Sequence, residues 1–285
     1  MIGNELKSAM VYMLICTLSL SGMNSLIKYL GHFNVYELVF FRALGSLVFT
    51  MSYLLQQRIP LWGNKRKLLF LRGIVGLVSM ALFFMSLQYL PMGTAVSLRY
   101  MAPIFAAIFA VFLLKEKISP PQWFYFFMSF AGVLVLKGMD VQMDTTGLLF
   151  VMGAAISSGL VYILIGKIGN ADHPVVVVNY FMAIATLVGG LMAVPHWVMP
   201  EGVEWFLLAG LGIFGFVGQL FMTKAFQVAS TNVVAPLNYM EVLFTGLVGI
   251  IGFGELYTHW TLLGIGLIVG GLVLNVLYRS KQRLK

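Results

Sequence analysis

The chain is short of charge. Asp, Glu, Lys and Arg together make up 10% of its 285 residues, while 60% are hydrophobic and the mean hydropathy is +0.93. A soluble protein of this length has too little interior to hide so many apolar side chains. A water-soluble enzyme or binding domain is therefore excluded, and an integral membrane protein is expected. Cysteine is nearly absent as well. Cys16 stands alone, which excludes an intrachain disulfide and any cysteine-based metal cluster. Acidic residues are fewer than basic ones, 10 against 18, for a net charge of +8. In an apolar chain that excess points to an asymmetry between loops rather than to nucleic acid. A cleavage site of small residues is also missing after the polar lead MIGNELKSAM, so the first apolar run reads as a span and not as a signal peptide.

What is present is a series of ten apolar runs, each close to the ~20 residues that a helix needs to cross a bilayer core. They lie near 9–29, 35–55, 68–89, 93–114, 121–138, 146–167, 174–196, 204–225, 232–253 and 259–278. The breaks carry turn and cap residues: Gly31-His32-Phe33-Asn34, Ser119-Pro120-Pro121, Asp172-His173-Pro174 and Thr258. Proline suits the first turn of a helix, where its missing N–H has no partner to lose. Both termini and the even-numbered loops carry Lys7, Arg58, Lys65, Arg66, Lys67, Lys115, Lys117, Lys167, Arg279, Lys281, Arg283 and Lys285. The odd-numbered loops carry only Lys28 and Lys137. By the positive-inside rule both termini are cytoplasmic. Trp123, Trp197, Trp205 and Trp260 fall near span ends, as an aromatic belt requires. Asp140, Asp144, Asp172 and all four histidines lie in the breaks.

Sliding the chain against itself by 139 positions aligns Gly73, Ile74, Gly76, Val78, Gln88, Leu98, Tyr100, Met101, Phe105, Glu116 and Gly132 with Gly212, Ile213, Gly215, Val217, Gln227, Leu237, Tyr239, Met240, Phe244, Glu255 and Gly271. The offset maps spans 3, 4 and 5 onto spans 8, 9 and 10. The chain therefore reads as two five-helix halves, 1–140 and 141–285. Five is odd, so the second half enters the membrane in the opposite sense. The loop charges agree, since Lys115-Glu116-Lys117 has Gly254-Glu255-Leu256 as its counterpart. Inverted repeats of this kind are a mark of carriers that alternate access around a midplane site. The glycine pairs read as points of close helix packing.

Two segments are diagnostic. LPMGTAVSLRYMAPIFAAIFAVFLLKEKI followed by WFYFFMSFAGVLVL resembles the end of an EamA-type repeat of the drug/metabolite transporter superfamily. ASTNVVAPLNYMEVLFTGLVGIIGFGEL followed by WTLLGIGLIVGGLVL does so too. Each has a small-residue lead, a Pro or Tyr mid-helix, a glutamate after the fourth helix of the half (Glu116, Glu255) and a glycine-rich fifth helix. Tyr36-Glu37-Leu38-Val39-Phe40-Phe41-Arg42 fits the arginine pattern of the second helix. The resemblance covers essentially the whole chain. It implies an all-α integral membrane protein whose ten transmembrane helices form two inverted five-helix repeats around a central cavity, lined largely by helices 1, 3, 4, 6, 8 and 9. It also implies a bacterial inner membrane and a small-molecule substrate, with amino acids, S-adenosylmethionine, vitamins and nucleotide sugars all within the superfamily.

Arg99 stands in the apolar run Leu87 to Leu114. A charge at the bilayer centre costs ~2.5–3.5 kcal/mol on insertion scales, so such a residue faces protein or a watered cavity. The carboxylate expected well inside a span is Glu241. At the 139 offset Arg99 maps to Asn238 and Ala102 to Glu241, and 238 and 241 share one helix face. Arg99 and Glu241 should therefore meet near the molecular centre. Two readings stand at this point. In one, the pair locks helices together. In the other, it lines the cavity: Arg99 offers a planar donor fork to a carboxylate or phosphate, and Glu241 accepts an ammonium or exchanges a proton. One cation with one anion suits a zwitterion. Asn24, Tyr100, Tyr239 and Asn238 complete the candidate substrate-binding set. Gln88, Gln219, Asn179 and Tyr180 read as structural, Lys224 as snorkelling, and Arg42 as an interfacial residue paired with Glu37. The methionines do not converge with His or Cys, so no metal path is expected.

Motifs exclude rival classes. The sequence has no His-Glu-x-x-His, no Gly-x-Ser-x-Gly with a membrane histidine, no pair of membrane aspartates and no phosphate-binding loop. An enzyme or ATPase is not expected, and no cofactor is called for. A channel would show rings of like charge. Secondary transport of a small zwitterionic or amino-acid-like metabolite by alternating access uses the repeat and the buried charges together. Uptake of a vitamin or nucleobase such as riboflavin, and export of amino acids or toxic metabolites, are the alternatives. Lipids are partners by necessity, a coupled proton fits Glu241, and monomer and dimer both stay open.

Overall fold

In the computed structural model the described residues are 2–114, 119–139, 144–228 and 235–283. Lys115, Glu116, Lys117, Asp140 and Lys285 lie outside them, as do the side chains of Lys137, Arg279, Lys281 and Arg283. Every regular element among the described residues is helical. They are α1 (Ile2–Tyr29), α2 (Val35–Gln56), α3 (Arg66–Tyr89), α4 (Met92–Arg99), α5 (Ala102–Leu114), α6 (Pro120–Met139), α7 (Thr145–Ile168), α8 (Pro174–Ala193), α9 (Glu204–Val228), α10 (Met240–Phe253) and α11 (His259–Arg283). Short 3₁₀ segments at Gly169–Ala171, Val194–His196 and Ala235–Tyr239 punctuate them. Eight helical stretches are long and apolar enough to span a bilayer, with Met92–Leu113 as one of them; Pro120–Leu136 and Leu237–Phe253 are shorter apolar helices. Together they make the ten membrane elements.

The caps sit where the turn residues stand. Asn34 Oδ1 accepts the Tyr36 N–H at 2.9 Å, Asp144 Oδ1 accepts that of Gly147 at 2.9 Å, and His173 Nδ1 accepts that of Val175 at 3.3 Å beside Pro174. Thr258 Oγ1 accepts the Thr261 N–H at 3.1 Å. Each satisfies a donor that the first turn leaves unpaired. Helix faces away from the core carry exposed Leu, Ile and Phe, such as Phe112, Phe206 and Ile251, the inverse of a soluble protein and what lipid accepts. Trp123, Trp197, Trp205 and Trp260 are among these exposed side chains.

The element contacts repeat at the 139-residue offset. α1 packs on α9 and its counterpart α7 packs on α3. α5 packs on α7, and α10 on α1. α2 pairs with its own counterpart α8, and α6 with α11. That pattern is a pseudo-two-fold axis through the molecule. Glycines make the closest contacts on it. A Cβ on Gly132 would sit 2.6 Å from the Gly264 carbonyl oxygen, and one on Gly271 would sit 2.6 Å from that of Tyr125; these are the same contact related by the offset. Gly45 and Gly212 bring α2 against α9, where a Cβ on Gly45 would lie 2.7 Å from the Gly212 Cα. Small residues let backbones approach in a membrane, where association has little hydrophobic drive.

The fourth span is interrupted by two non-helical residues, and the ninth changes from 3₁₀ to α winding at the equivalent place. α4 ends at Arg99 and α5 starts at Ala102; at the equivalent place the 3₁₀ segment ends at Tyr239 and α10 starts at Met240. Pro103 explains the break in the fourth span, because it has no N–H to donate to the Arg99 carbonyl and its ring crowds that oxygen. The Met101 N–H turns instead to the Leu98 carbonyl, three residues back, at 3.0 Å.

Candidate functional site

The break in the fourth span lies against the 3₁₀-to-α junction of the ninth. Arg99 closes α4, Tyr100 follows it, and Glu241 stands in the first turn of α10, just past that junction. Glu241 has no exposure to solvent. Its Oε1 accepts from Asn24 Nδ2 at 3.0 Å and from Arg99 Nη2 at 3.2 Å; its Oε2 accepts from Tyr100 Oη at 2.6 Å and lies 3.4 Å from Arg99 Nη2. Three side chains of the first half, from α1, the end of α4 and the turn that follows it, thus hold the carboxylate. Such charge-assisted bonds are about twice as strong as neutral ones. The guanidinium carbon of Arg99 lies 4.1 Å from the Phe83 ring centroid, a cation–π contact. Tyr100 and Tyr239, equivalent in the repeat, meet edge to face at 5.3 Å.

Beside this network lies a cavity of about 530 Å³. Its walls come in symmetry pairs: Met23 with Tyr162, Arg42 with Phe181, Gly76 with Gly215, Met80 with Gln219, Phe83 with Met222, Arg99 with Asn238 and Tyr100 with Tyr239. The cavity therefore sits on the pseudo-two-fold axis. Shape is symmetric there, but charge is not. Arg42, Arg72 and Arg99 all come from the first half.

Of the sequence candidates, Arg99, Tyr100, Asn238 and Tyr239 line the cavity, and Asn24 and Glu241 stand behind them in the network. Arg42 is a correction. It is not interfacial and does not pair with Glu37. Its Nε faces Met23 Sδ at 3.3 Å and its Nη1 faces Met80 Sδ at 2.6 Å, inside the cavity. Glu37 instead accepts the Val198 backbone N–H at 3.1 Å. Arg72 was missed. It sits six residues into α3, is 6% exposed, and lays its guanidinium 4.3 Å from the Phe181 ring centroid. Gln219 also reaches the cavity, whereas Asn179 accepts from Thr50 at 3.0 Å, as a structural residue would.

A second polar cluster closes the molecule at the end away from the chain termini. Lys28, at the end of α1, forms an ion pair with Glu255. Both carboxylate oxygens of Glu255 accept the Met92 backbone N–H, at 3.0 Å each, and Tyr257 Oη donates to Oε2 at 2.7 Å. Gly93 N–H in turn donates to Tyr257 Oη at 3.1 Å. Pro91 offers α4 no side-chain cap, so the second half caps a helix of the first half. Burial pushes the Tyr257 hydroxyl up, and the bond to Glu255 pushes it further, so it stays a proton donor to that carboxylate.

Among the described residues no cluster of His, Cys, Asp and Glu could hold a metal ion. The site offers a ligand three arginines and an axial cavity, with a buried carboxylate behind them. The EamA-like transporter family model matches the chain twice, over residues 7–137 and 145–277. The pseudopaline exporter CntI of Pseudomonas aeruginosa is 27% identical over 282 residues, 97% of this chain and 96% of that protein. The S-adenosylmethionine uptake transporter of Rickettsia felis is 26% identical over 273 residues, 95% and 92% of the two chains. The riboflavin transporter of Vibrio cholerae is 26% identical over 214 residues, 74% and 72% of the two chains. A solved crystal structure covering 98% of this chain and 99% of its own superposes with a TM-score of 0.65 at 20% identity, which shows a shared fold. The chain belongs to the EamA-like transporter family of the drug/metabolite transporter superfamily: it is a multi-pass membrane transporter of a small molecule and not an enzyme.

Proposed function

We propose that the protein carries a small zwitterionic or amino-acid-like metabolite across the bacterial cytoplasmic membrane by alternating access, with both termini in the cytoplasm. The halves are residues 1–140 and 141–285, and the substrate sits between them in the axial cavity. The observation that carries the reading is the four-residue network between the break after α4 and the first turn of α10. Arg99 presents a donor fork beside the cavity, and Glu241 behind it supplies the opposite charge. A zwitterion can offer its carboxylate to Arg99 and its ammonium to Glu241 once that side chain is freed toward the cavity. Asn24 and Tyr100 hold Glu241 and can release it when an ammonium arrives or when the carboxylate takes a proton, which is how a proton gradient would couple. Asn238 and Tyr239 offer the matching wall from the second half.

The relatives support a carrier and differ in cargo and direction: by name one exports pseudopaline, one takes up S-adenosylmethionine and one transports riboflavin. A flat vitamin is the second reading, favoured by the aromatic walls at Phe83, Tyr100 and Tyr239. Counterflow into proteoliposomes tests both. Labelled amino acids, S-adenosylmethionine, riboflavin and nucleobases are offered to the native protein, Arg99→Ala and Glu241→Gln. Exchange of a zwitterion, lost in both variants, is the expected result. Exchange of riboflavin alone supports the second reading, and exchange untouched by either substitution removes the pair from the binding site.

A further inference from the structure

Two cations in the cavity have no counter-ion. The ion pairs among the described residues are Lys28 with Glu255, His32 with Glu204 and Arg99 with Glu241, and neither Arg42 nor Arg72 enters one. Arg72 is almost fully buried, and its Nε and Nη1 have no hydrogen-bond partner. Arg42 faces the thioether sulfurs of Met23 and Met80, which are weak acceptors, and lies 6.0 Å from the Phe84 ring centroid. The two guanidiniums act on each other as like charges, and Arg99 acts on Arg42 in the same way. Glu241 offsets Arg99, so the cavity carries two uncompensated positive charges.

The backbone makes room for them. A Cβ on Gly76 would sit 3.1 Å from Arg72 Nη1, and one on its repeat counterpart Gly215 would sit 3.4 Å from Arg42 Nε. An unpaired guanidinium in a low-dielectric interior is costly, and a site that tolerates two is built to receive negative charge. Because Arg presents a planar fork, a carboxylate or a phosphate fits equally well.

We propose that Arg42 and Arg72 form an anion-binding subsite, so that the transported metabolite bears a carboxylate or phosphate beyond the zwitterionic groups met by Arg99 and Glu241 and is net anionic. The proposal rests on the reading that this cavity is the transport site. Phe83 lies against Arg99 and Phe84 against Arg42, both on the cavity wall.

Thermal stabilisation of the detergent-purified protein by pairs of near-isosteres tests it: aspartate with asparagine, glutamate with glutamine, phosphoserine with serine. The acidic member of at least one pair is expected to bind roughly tenfold more tightly. The first two pairs report a carboxylate preference and the third a phosphate preference. Arg42→Gln and Arg72→Gln should erase the difference, and Arg72→Lys should keep part of it. Arg72→Leu supplies a readout that does not depend on ligand: it removes an unpaired buried charge and should raise the melting temperature of the empty protein. The proposal is overturned if neutral and acidic members bind alike, if none of the six binds, if the preference survives in both Gln variants, or if Arg72→Leu lowers the melting temperature of the empty protein. If neutral zwitterions exchange and depend on Arg99 and Glu241 but not on Arg42 or Arg72, this subsite alone fails. If exchange ignores Arg99 and Glu241 as well, the transport-site reading fails with it.

Discussion

At the scale of single residues, Glu241 is the centre of the polar chemistry. Asn24, Arg99 and Tyr100 all donate to it. Replacing it by Gln leaves Arg99 in the membrane interior without an anion, and losing one partner of a buried pair costs about 3 kcal/mol. Glu241→Gln should therefore melt well below the native protein in a thermal unfolding assay. Tyr100→Phe removes one hydrogen bond to a charged acceptor and should cost about 1.5 kcal/mol in the same assay. An equal loss from both would mean that the hydroxyl matters as much as the charge. Arg99 and Glu241 were legible in the sequence because each interrupts a long apolar run, and the 139-residue offset placed them on related faces. Arg72 was not. It follows Arg66 by six residues, about 9 Å along a helix, within the zone where a long cationic side chain usually snorkels to the headgroups. Arg42 was misread for the same reason. Distance from a span end says how deep a residue is, but not whether it turns toward lipid or toward the axis.

At the scale of helices, the interrupted fourth span, the 3₁₀-to-α junction of the ninth and the glycine contacts set the site. Caps, span limits and the repeat were readable because turn residues and apolar runs are local signals. The break at Tyr100 and the 3₁₀ winding up to Tyr239 were harder to read. Pro103 marks the first, but no proline occupies the equivalent position, Val242, and the chain passes from 3₁₀ to α winding between Tyr239 and Met240 without a gap. Pro103→Ala should restore the N–H that the Arg99 carbonyl lacks and so join α4 to α5. The variant is expected to fold with native or higher thermal stability while its turnover in proteoliposomes falls; native turnover would show that the break is not needed for the transport cycle. Gly212→Leu acts differently. It pushes α2 from α9 at their closest approach, and overpacking of this kind costs about 3 kcal/mol. Detergent-extracted Gly212→Leu should elute mostly as aggregate in size-exclusion chromatography, and a native monodisperse peak would show that the contact is looser than the geometry says.

At the scale of the whole molecule, shape and charge follow different symmetries. The helix pairs and cavity walls obey the pseudo-two-fold axis, as an inverted repeat requires, while every cavity arginine comes from the first half. The repeat was visible at about one identity in every five or six positions because glycines and the Tyr-Met pair are packing and site residues. The charge asymmetry was only half visible, since two of the three arginines were not placed in the cavity. The loop cations add an orientation. In a Cys16→Ser background, a cysteine at Lys65 should react with a membrane-impermeant thiol reagent only after cells are opened, and one at Val198 should react on intact cells. The reverse pattern would invert the topology.

Arg99 and Glu241 either serve the substrate or only fasten α4 to α10. The most direct measurement is exchange by the swapped protein, Arg99→Glu with Glu241→Arg, reconstituted in liposomes beside the native chain. The swap keeps an ion pair between the two helices but exchanges the charge that faces the cavity. The prediction is a protein that melts close to the native temperature and no longer exchanges the native substrate. A swapped protein that melts normally and exchanges at the native rate would contradict the account and leave the pair as a latch between helices.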